Sequence, residues 1–235
     1  MNTHLTQVYL IPVTLAPDAI HTISPEVLPA IQKCRVFFVE DERSARRFCK
    51  KLWPQMVIDD YEWVAIHKAE QEAVTRFRTV LKEGKICGII SEAGCPGIAD
   101  PGQILVTAAQ DAGVAVKPLT GPSSILLALM ASGLNGQHFC FNGYLPVDAL
   151  ERKKKIKALE LESRKTGATE IFIETPYRNN QLLETLLQTC EPQTRLCIAA
   201  NITAADEMIR TQTVGAWLKQ VPNLHKIPVI FLLLG

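Results

Sequence analysis

The chain has 235 residues, 47% of them hydrophobic and 21% charged, a globular balance that suits one large domain or two smaller ones. The formal net charge is +1, so no overall field gathers nucleic acid, and an RNA partner requires a local basic patch. Seven cysteines, an odd number with no CxxC pair and no metal-type spacing, argue against a disulfide framework or a metal site and for buried thiols in a reducing compartment.

In chain order, the β-branched runs "QVYLIPV" (7–13), "RVFFVE" (35–40), "KICGIIS" (85–91) and "GVAVKPL" (113–119) read as strands. The segments "EVLPAIQKC", "RSARRFCKKL" and "AEQEAVTRFRTVLKEG" lie between them with helical spacing. In the last, Val74, Phe77, Val80 and Leu81 share one face and Gly84 stops the helix. This alternation predicts an α/β domain with a largely parallel, buried sheet. The pattern restarts at "TGPSS" (120–124), which opens the apolar helix "ILLALMASGL". Strand-like runs follow at 138–144, 168–174, 194–201 and 226–234, separated by amphipathic segments near 150–165 and 177–189.

Pro118 and the Gly-Pro pair interrupt regular structure, which predicts two α/β domains, 1–119 and 120–235, with an interdomain cleft suited to a small ligand. The C-terminal run "IPVIFLLLG" is far shorter than the roughly 20 residues of a membrane span and reads as a final strand. The N-terminus lacks a basic region followed by a long apolar stretch, so no signal peptide is expected, and the reading is of a cytoplasmic protein.

The stretch richest in chemistry is "SEAGCPGIADPG" (91–102), between a strand and a helix pattern. It holds three glycines, two prolines and two acids in twelve residues. Neither GxxxxGK[ST] nor GxGxxG occurs, so a triphosphate cradle and a dinucleotide fingerprint are both disfavoured. On its own the loop reads either as a tight connection whose glycines supply unusual backbone angles, or as backbone brought against a ligand.

The loop resembles the S-[DE]-A-G-x-P-x-I-x-D-P-G signature of the tetrapyrrole methylase superfamily, within it the branch that methylates a cytidine 2′-hydroxyl in 16S ribosomal RNA. Five further segments resemble that family in order: "VEDERSARRF", "IHKAEQE", "PLTGPSSILLALMASGL", "FNGYLPVDALERKKKIKAL" and "IFIETPYRNNQLLETL". They run from about residue 7 to 220. One segment departs: where the family opens with T-P-I-G-N, this chain has "LIPVTLAPDAIHT", without the glycine and asparagine.

The resemblance implies the tetrapyrrole methylase fold and S-adenosylmethionine as methyl donor in the cleft, with ribosomal RNA or the small ribosomal subunit as partner and a homodimer as assembly. Ala93, Gly94, Cys95 and Ile98 are then expected against the cofactor. Ser123 and Ser124 offer hydroxyls and helix N-terminal amides, and Glu174, Thr175 and Asn201 follow strands that end at the cleft. A ribose hydroxyl needs a base or a polarising charge, for which Glu92, Glu40 and His67 are the candidates; Asp41 beside Glu40 reads equally as a helix cap. Arg43 and Arg178 are candidate phosphate ligands, and Arg152, Lys153, Lys154 and Lys155 in "ERKKKIK" form the basic run expected to meet RNA. Two alternatives stay open: the same fold and donor with a tetrapyrrole or other small-molecule acceptor, and a non-catalytic relative that only binds the cofactor.

Overall fold

The computed structural model describes residues 6–66 and 70–235, and the chain divides after Ser123 into two compact units. The N-terminal unit alternates strand and helix: β1 (Gln7–Ile11), α1 (Val27–Lys33), β2 (Val36–Val39), α2 (Glu42–Leu52), β3 (Glu62–Ala65), α3 (Glu70–Lys82), β4 (Cys87–Ile90), α4 (Gln103–Asp111) and β5 (Ala115–Pro118). Its five strands are all parallel, in the order β3-β2-β4-β1-β5.

A parallel sheet must be covered on both faces, and β2 and β4 accordingly read as unbroken apolar runs with every residue buried. Tyr9, Ile11, Phe37 and Val39 pack against α1 and α2 on one face. Val8, Phe38 and Ile89 pack against Phe77 of α3 and Leu105 of α4 on the other. Phe37 stacks on Trp63 at 4.8 Å between centroids, while Phe38 meets Phe77 edge-on at 5.0 Å. The expected parallel, buried sheet is therefore present, with β3 added at its edge. Half exposure leaves "EWVA" without a continuous apolar run, so no strand was legible there.

The C-terminal unit contains α5 (Ser124–Ser132), β6 (Phe139–Tyr144), α6 (Ala149–Thr166), β7 (Thr169–Ile173), α7 (Asn179–Thr189), β8 (Arg195–Ala200), β9 (Met208–Thr213), α8 (Val214–Trp217) and β10 (Val229–Leu234). Its sheet, ordered β6-β7-β10-β8-β9, is mixed. The crossover through α6 makes β6 and β7 parallel, whereas β10 enters between β7 and β8 antiparallel to both, and β9 folds back on β8. Phe172, Phe231, Leu183, Leu186, Ile198 and Trp217 centre the core under α6, α7 and α8. Helix α5 covers the opposite face over β8, β9 and β10. Strand β9, "MIRTQT", is polar and at the sheet edge, which is why its pattern did not announce it.

Five of the seven thiols are buried, Cys95 is partly so, and Cys140 is exposed. Burial pushes Cys49, Cys87 and Cys190 up to about 12. No helix among the described residues is long and apolar enough to cross a membrane.

Asp41 caps α2: its Oδ1 accepts the Ser44 amide at 2.8 Å and the Ser44 hydroxyl returns to the Asp41 carbonyl at 3.1 Å. The amide bond holds the Asp41 carboxyl below its ordinary value. With the folded pKa depressed, the cap contributes fully above the unfolded value of about 3.9 and its contribution is lost as pH falls through the folded value. Asp41→Ala is expected to cost about 0.5–1 kcal/mol at neutral pH, because the cap is exposed. Urea unfolding of the two proteins should show that gap closing in acid.

Candidate functional site

Strands β1 and β4 are neighbours, yet the chain leaves β1 for α1 on one face of the sheet and leaves β4 for α4 on the other. The two connections therefore switch direction at the carboxyl edge of the sheet. Open α/β sheets bind ligands at such a switch of direction. The loops at this edge carry Pro12–Ala16 after β1, Ser91–Gly102 after β4, Leu119–Ser123 after β5, and Glu40 and Asp41 after β2.

The 91–102 loop is held from several sides. Gly94 and Val13 exchange backbone hydrogen bonds, 2.8 Å from the Val13 amide and 3.0 Å from the Gly94 amide. The buried Ser91 hydroxyl donates to the Gly94 carbonyl at 2.9 Å. Glu40 Oε2 accepts the Glu92 amide at 2.9 Å, tying the β2 loop to the β4 loop. Asp100 Oδ1 accepts the amides of Gly97 and Gly102 at 2.8 and 2.7 Å, closing the far half of the loop on itself. The Cys95 thiol donates toward the carbonyls of Gly121 and Pro122, at 3.7 and 3.4 Å. Burial raises its pKa, so it sits there as a neutral thiol.

Two glycines are required by this arrangement. Gly94 has φ +75°, and a Cβ on it would lie 3.3 Å from Leu15 Cδ2. A Cβ on Gly121 would fall 2.2 Å from the Pro12 ring, so the β5 loop can press on the β1 loop only with glycine there. The chain thus keeps a backbone approach at "LIPVT" without the glycine and asparagine of the T-P-I-G-N pattern: Val13 makes it.

Of the expected site residues, Glu40, Glu92, Ala93, Gly94, Cys95, Ile98 and Ser123 come together on loops at this edge. Glu92, Ala93 and Ile98 are exposed, and the amides of Ala93 and Cys95 have no partner among the described residues. Arg43 is exposed in the first turn of α2. His67 lies outside the described residues. Among the described residues, no three His, Cys, Asp or Glu side chains gather as a metal site requires.

In the C-terminal unit, Ser124 opens α5. Glu174, Thr175 and Arg178 follow β7 and Asn201 follows β8, at the same end of the sheet because both strands run opposite to β10. Glu174 is buried, and its Oε1 accepts the Thr175 amide at 2.6 Å and Arg178 Nε and Nη2 at 3.0 and 2.6 Å. Its Oε2 is buried with no partner among the described residues. The Arg178 guanidinium is thus turned to Glu174. Asn201 has φ +49° and donates to Asp206 at 2.7 Å.

The basic run needs one correction. Arg152 does not join the lysines: helical spacing puts it on the inner face of α6 with Ile156, Leu159 and Ser163, where it is 2% exposed and donates to the Val147 carbonyl at 3.1 Å. Lys153, Lys154 and Lys155 are exposed, and Lys154 pairs with Glu151 at 2.8 Å. Sequence reasoning missed Val13 and Ser91, whose role is to hold the loop; only the run-on of strand character through "LIPVT" signalled the first.

The family model of the Tetrapyrrole (Corrin/Porphyrin) Methylases matches residues 8–217, and the chain belongs to this family. It is similar to the ribosomal RNA small subunit methyltransferase I of Escherichia coli O157:H7, 34% identical over 172 residues, which are 72% of this chain and 58% of that protein. The protein of the same name from Pseudomonas aeruginosa is 30% identical over 217 residues, 91% of this chain and 74% of that one. The chain spans less than two thirds of the length of such relatives as the E. coli protein. Its fold is that of the solved methyltransferase CobJ (TM-score 0.64, 18% identity, 98% of this chain and 93% of that) and of a diphthine synthase (TM-score 0.67, 14% identity, 98% and 90%). Family and fold therefore agree with what the six motifs implied.

Gly94→Ala is expected to destabilise the protein by about 1–2 kcal/mol, the cost of a left-handed backbone bearing a Cβ. Thermal melts of the two proteins would measure it.

Proposed function

We propose that the chain is a methyltransferase that uses S-adenosylmethionine to methylate a ribose 2′-hydroxyl of small-subunit ribosomal RNA, a cytidine of the 16S molecule. The observation that carries this reading is the Ser91–Gly102 loop pinned at the switch point of the parallel sheet, in a chain of the methylase family that is 34% identical to a protein named for methylating that RNA.

The residues fit the cofactor. In the N-terminal unit the Ala93 and Cys95 amides, without a partner among the described residues, suit a carboxylate or ribose oxygen; in the C-terminal unit, taken by itself, Glu174 Oε2, buried and likewise without a partner among the described residues, suits a hydroxyl or ammonium donor. Ile98 and Ser123 offer the N-terminal unit's further apolar and polar contacts, and Ser124, Thr175 and Asn201 those of the C-terminal unit. When bound, the cofactor supplies a methyl group already activated on a sulfonium.

The chain's own part is to align the acceptor oxygen, exclude water and take the hydroxyl proton. Glu92 takes it: it is exposed on the loop at the switch point while its amide is fixed. Glu40, whose carboxylate receives that amide, is a positioning residue. Lys153, Lys154 and Lys155 on the outer face of α6, with Arg43, hold RNA phosphates. The exposed Lys154–Glu151 pair is weak enough for a phosphate to displace. The protein works where small subunits are assembled, in the cytoplasm.

Methyl transfer from tritiated S-adenosylmethionine to small subunits, bare 16S RNA and a precorrin mixture, run separately, tests the reading. Label in either RNA sample is expected; label in the precorrins alone would move the activity to small molecules, and label in none would leave no methyltransferase. The Lys153, Lys154 and Lys155 triple alanine variant should bind RNA more weakly with a salt slope flatter by up to about three, and should bind the cofactor as before.

The reading includes a homodimer. Strand β6 lies at the sheet edge with Phe139 and Tyr144 40% and 61% exposed, an apolar edge that a second copy would cover. In sedimentation velocity the parent should run as a dimer, and a Phe139→Lys, Tyr144→Lys variant as a monomer.

A further inference from the structure

Two loops at one end of the C-terminal sheet are fastened to each other, the segment 175–178 after β7 and the segment 223–228 before β10. The Lys226 amide donates to the Pro176 carbonyl at 3.0 Å, and Asn179 Nδ2 to the Ile227 carbonyl at 2.6 Å. Asn180 bridges the same loops, accepting the Leu224 amide at 2.7 Å and donating to Asn223 Oδ1 at 2.8 Å.

On this frame Tyr177 stands 70% exposed. The His225 ring meets it edge-on with centroids 6.0 Å apart, and Lys226 Nζ lies 5.7 Å from its centroid. A tyrosine recruited for packing would bury its ring; this one leaves most of a large apolar face in water. Lys226 has φ +62°, a costly conformation for a residue with a Cβ, and the bond from its amide to Pro176 holds it there. Lys226 makes no ion pair among the described residues, and the buried carboxylate beside the loop, Glu174, is engaged by Arg178. The result is an exposed aromatic ring with a cation over it and an imidazole packed against it at a steep angle.

We propose that Tyr177, Lys226 and His225 form a platform for one nucleotide of single-stranded RNA. The base stacks on the ring face that Lys226 leaves open, and the adjoining phosphate meets the Lys226 ammonium. Stacking needs only a π face, so this contact holds the strand without reading its sequence. The proposal rests on RNA being the substrate.

Filter binding of the 235-residue chain to small ribosomal subunits and to extracted 16S RNA, over a salt series, tests it. Tyr177→Phe keeps the ring and should bind as the parent does. Tyr177→Ala should bind about tenfold or more weakly, with cofactor affinity and melting temperature unchanged. Lys226→Ala should flatten the salt slope by about one. If Tyr177→Ala fails to fold, Tyr177→Leu, which keeps apolar bulk without a flat face, takes its place with the same expected loss. Parent binding that these variants leave intact would overturn the platform and leave the RNA reading standing. A parent that binds neither RNA would overturn both.

Discussion

Two backbone hydrogen bonds between Val13 and Gly94 are the constraint on which the N-terminal unit's site depends. The sheet sends its β1 and β4 connections to opposite faces, which would let the two loops diverge; the bridge stops them. Once it is made, Gly94 must adopt a left-handed backbone, Ser91 can reach its carbonyl, and Cys95 and Gly121 are brought close enough for the thiol to find backbone acceptors. Glu40 closes the other side. A loop rich in glycine and proline thereby has the fixity of a regular element while Glu92, Ala93 and Ile98 remain outward.

The C-terminal unit instead buries a charge. Glu174 sits at the end of β7 with one oxygen satisfied by a local amide and a guanidinium and the other by nothing among the described residues. An unpaired buried oxygen costs stability unless something donates to it. Ordered water, an ion or a ligand can complete such a group.

The parallel sheet was legible in sequence because burial on both faces forces unbroken apolar runs such as "VFFV" and "CGII". Strands β3 and β9 were not, since edge strands can be polar and half exposed. The mixed second sheet was hidden for a different reason: β10 inserts between strands that precede it in the chain, and no local pattern records a long-range insertion. Motif resemblance singled out the loop, Glu40 and Glu174, and the structure sets Glu40 against the Glu92 amide and buries Glu174 at the end of β7. The resemblance could not tell that Gly94 answers to Val13, because the partner lies some eighty residues away. Reading "ERKKKIK" as one charged run misplaced Arg152, since a helix divides consecutive residues between its faces.

The distribution of thiols has a consequence for chemical labelling. Five are sealed in the cores, three of these with pKa values pushed to about 12, and Cys95 is held neutral against backbone carbonyls. Only thiolate reacts with alkylating reagents, and only where they can reach it. Cys140, exposed on β6 of the single chain, is therefore the natural attachment point for a fluorophore or spin label, and a second copy seated on that edge would slow its labelling, a readout that needs no other cysteine removed.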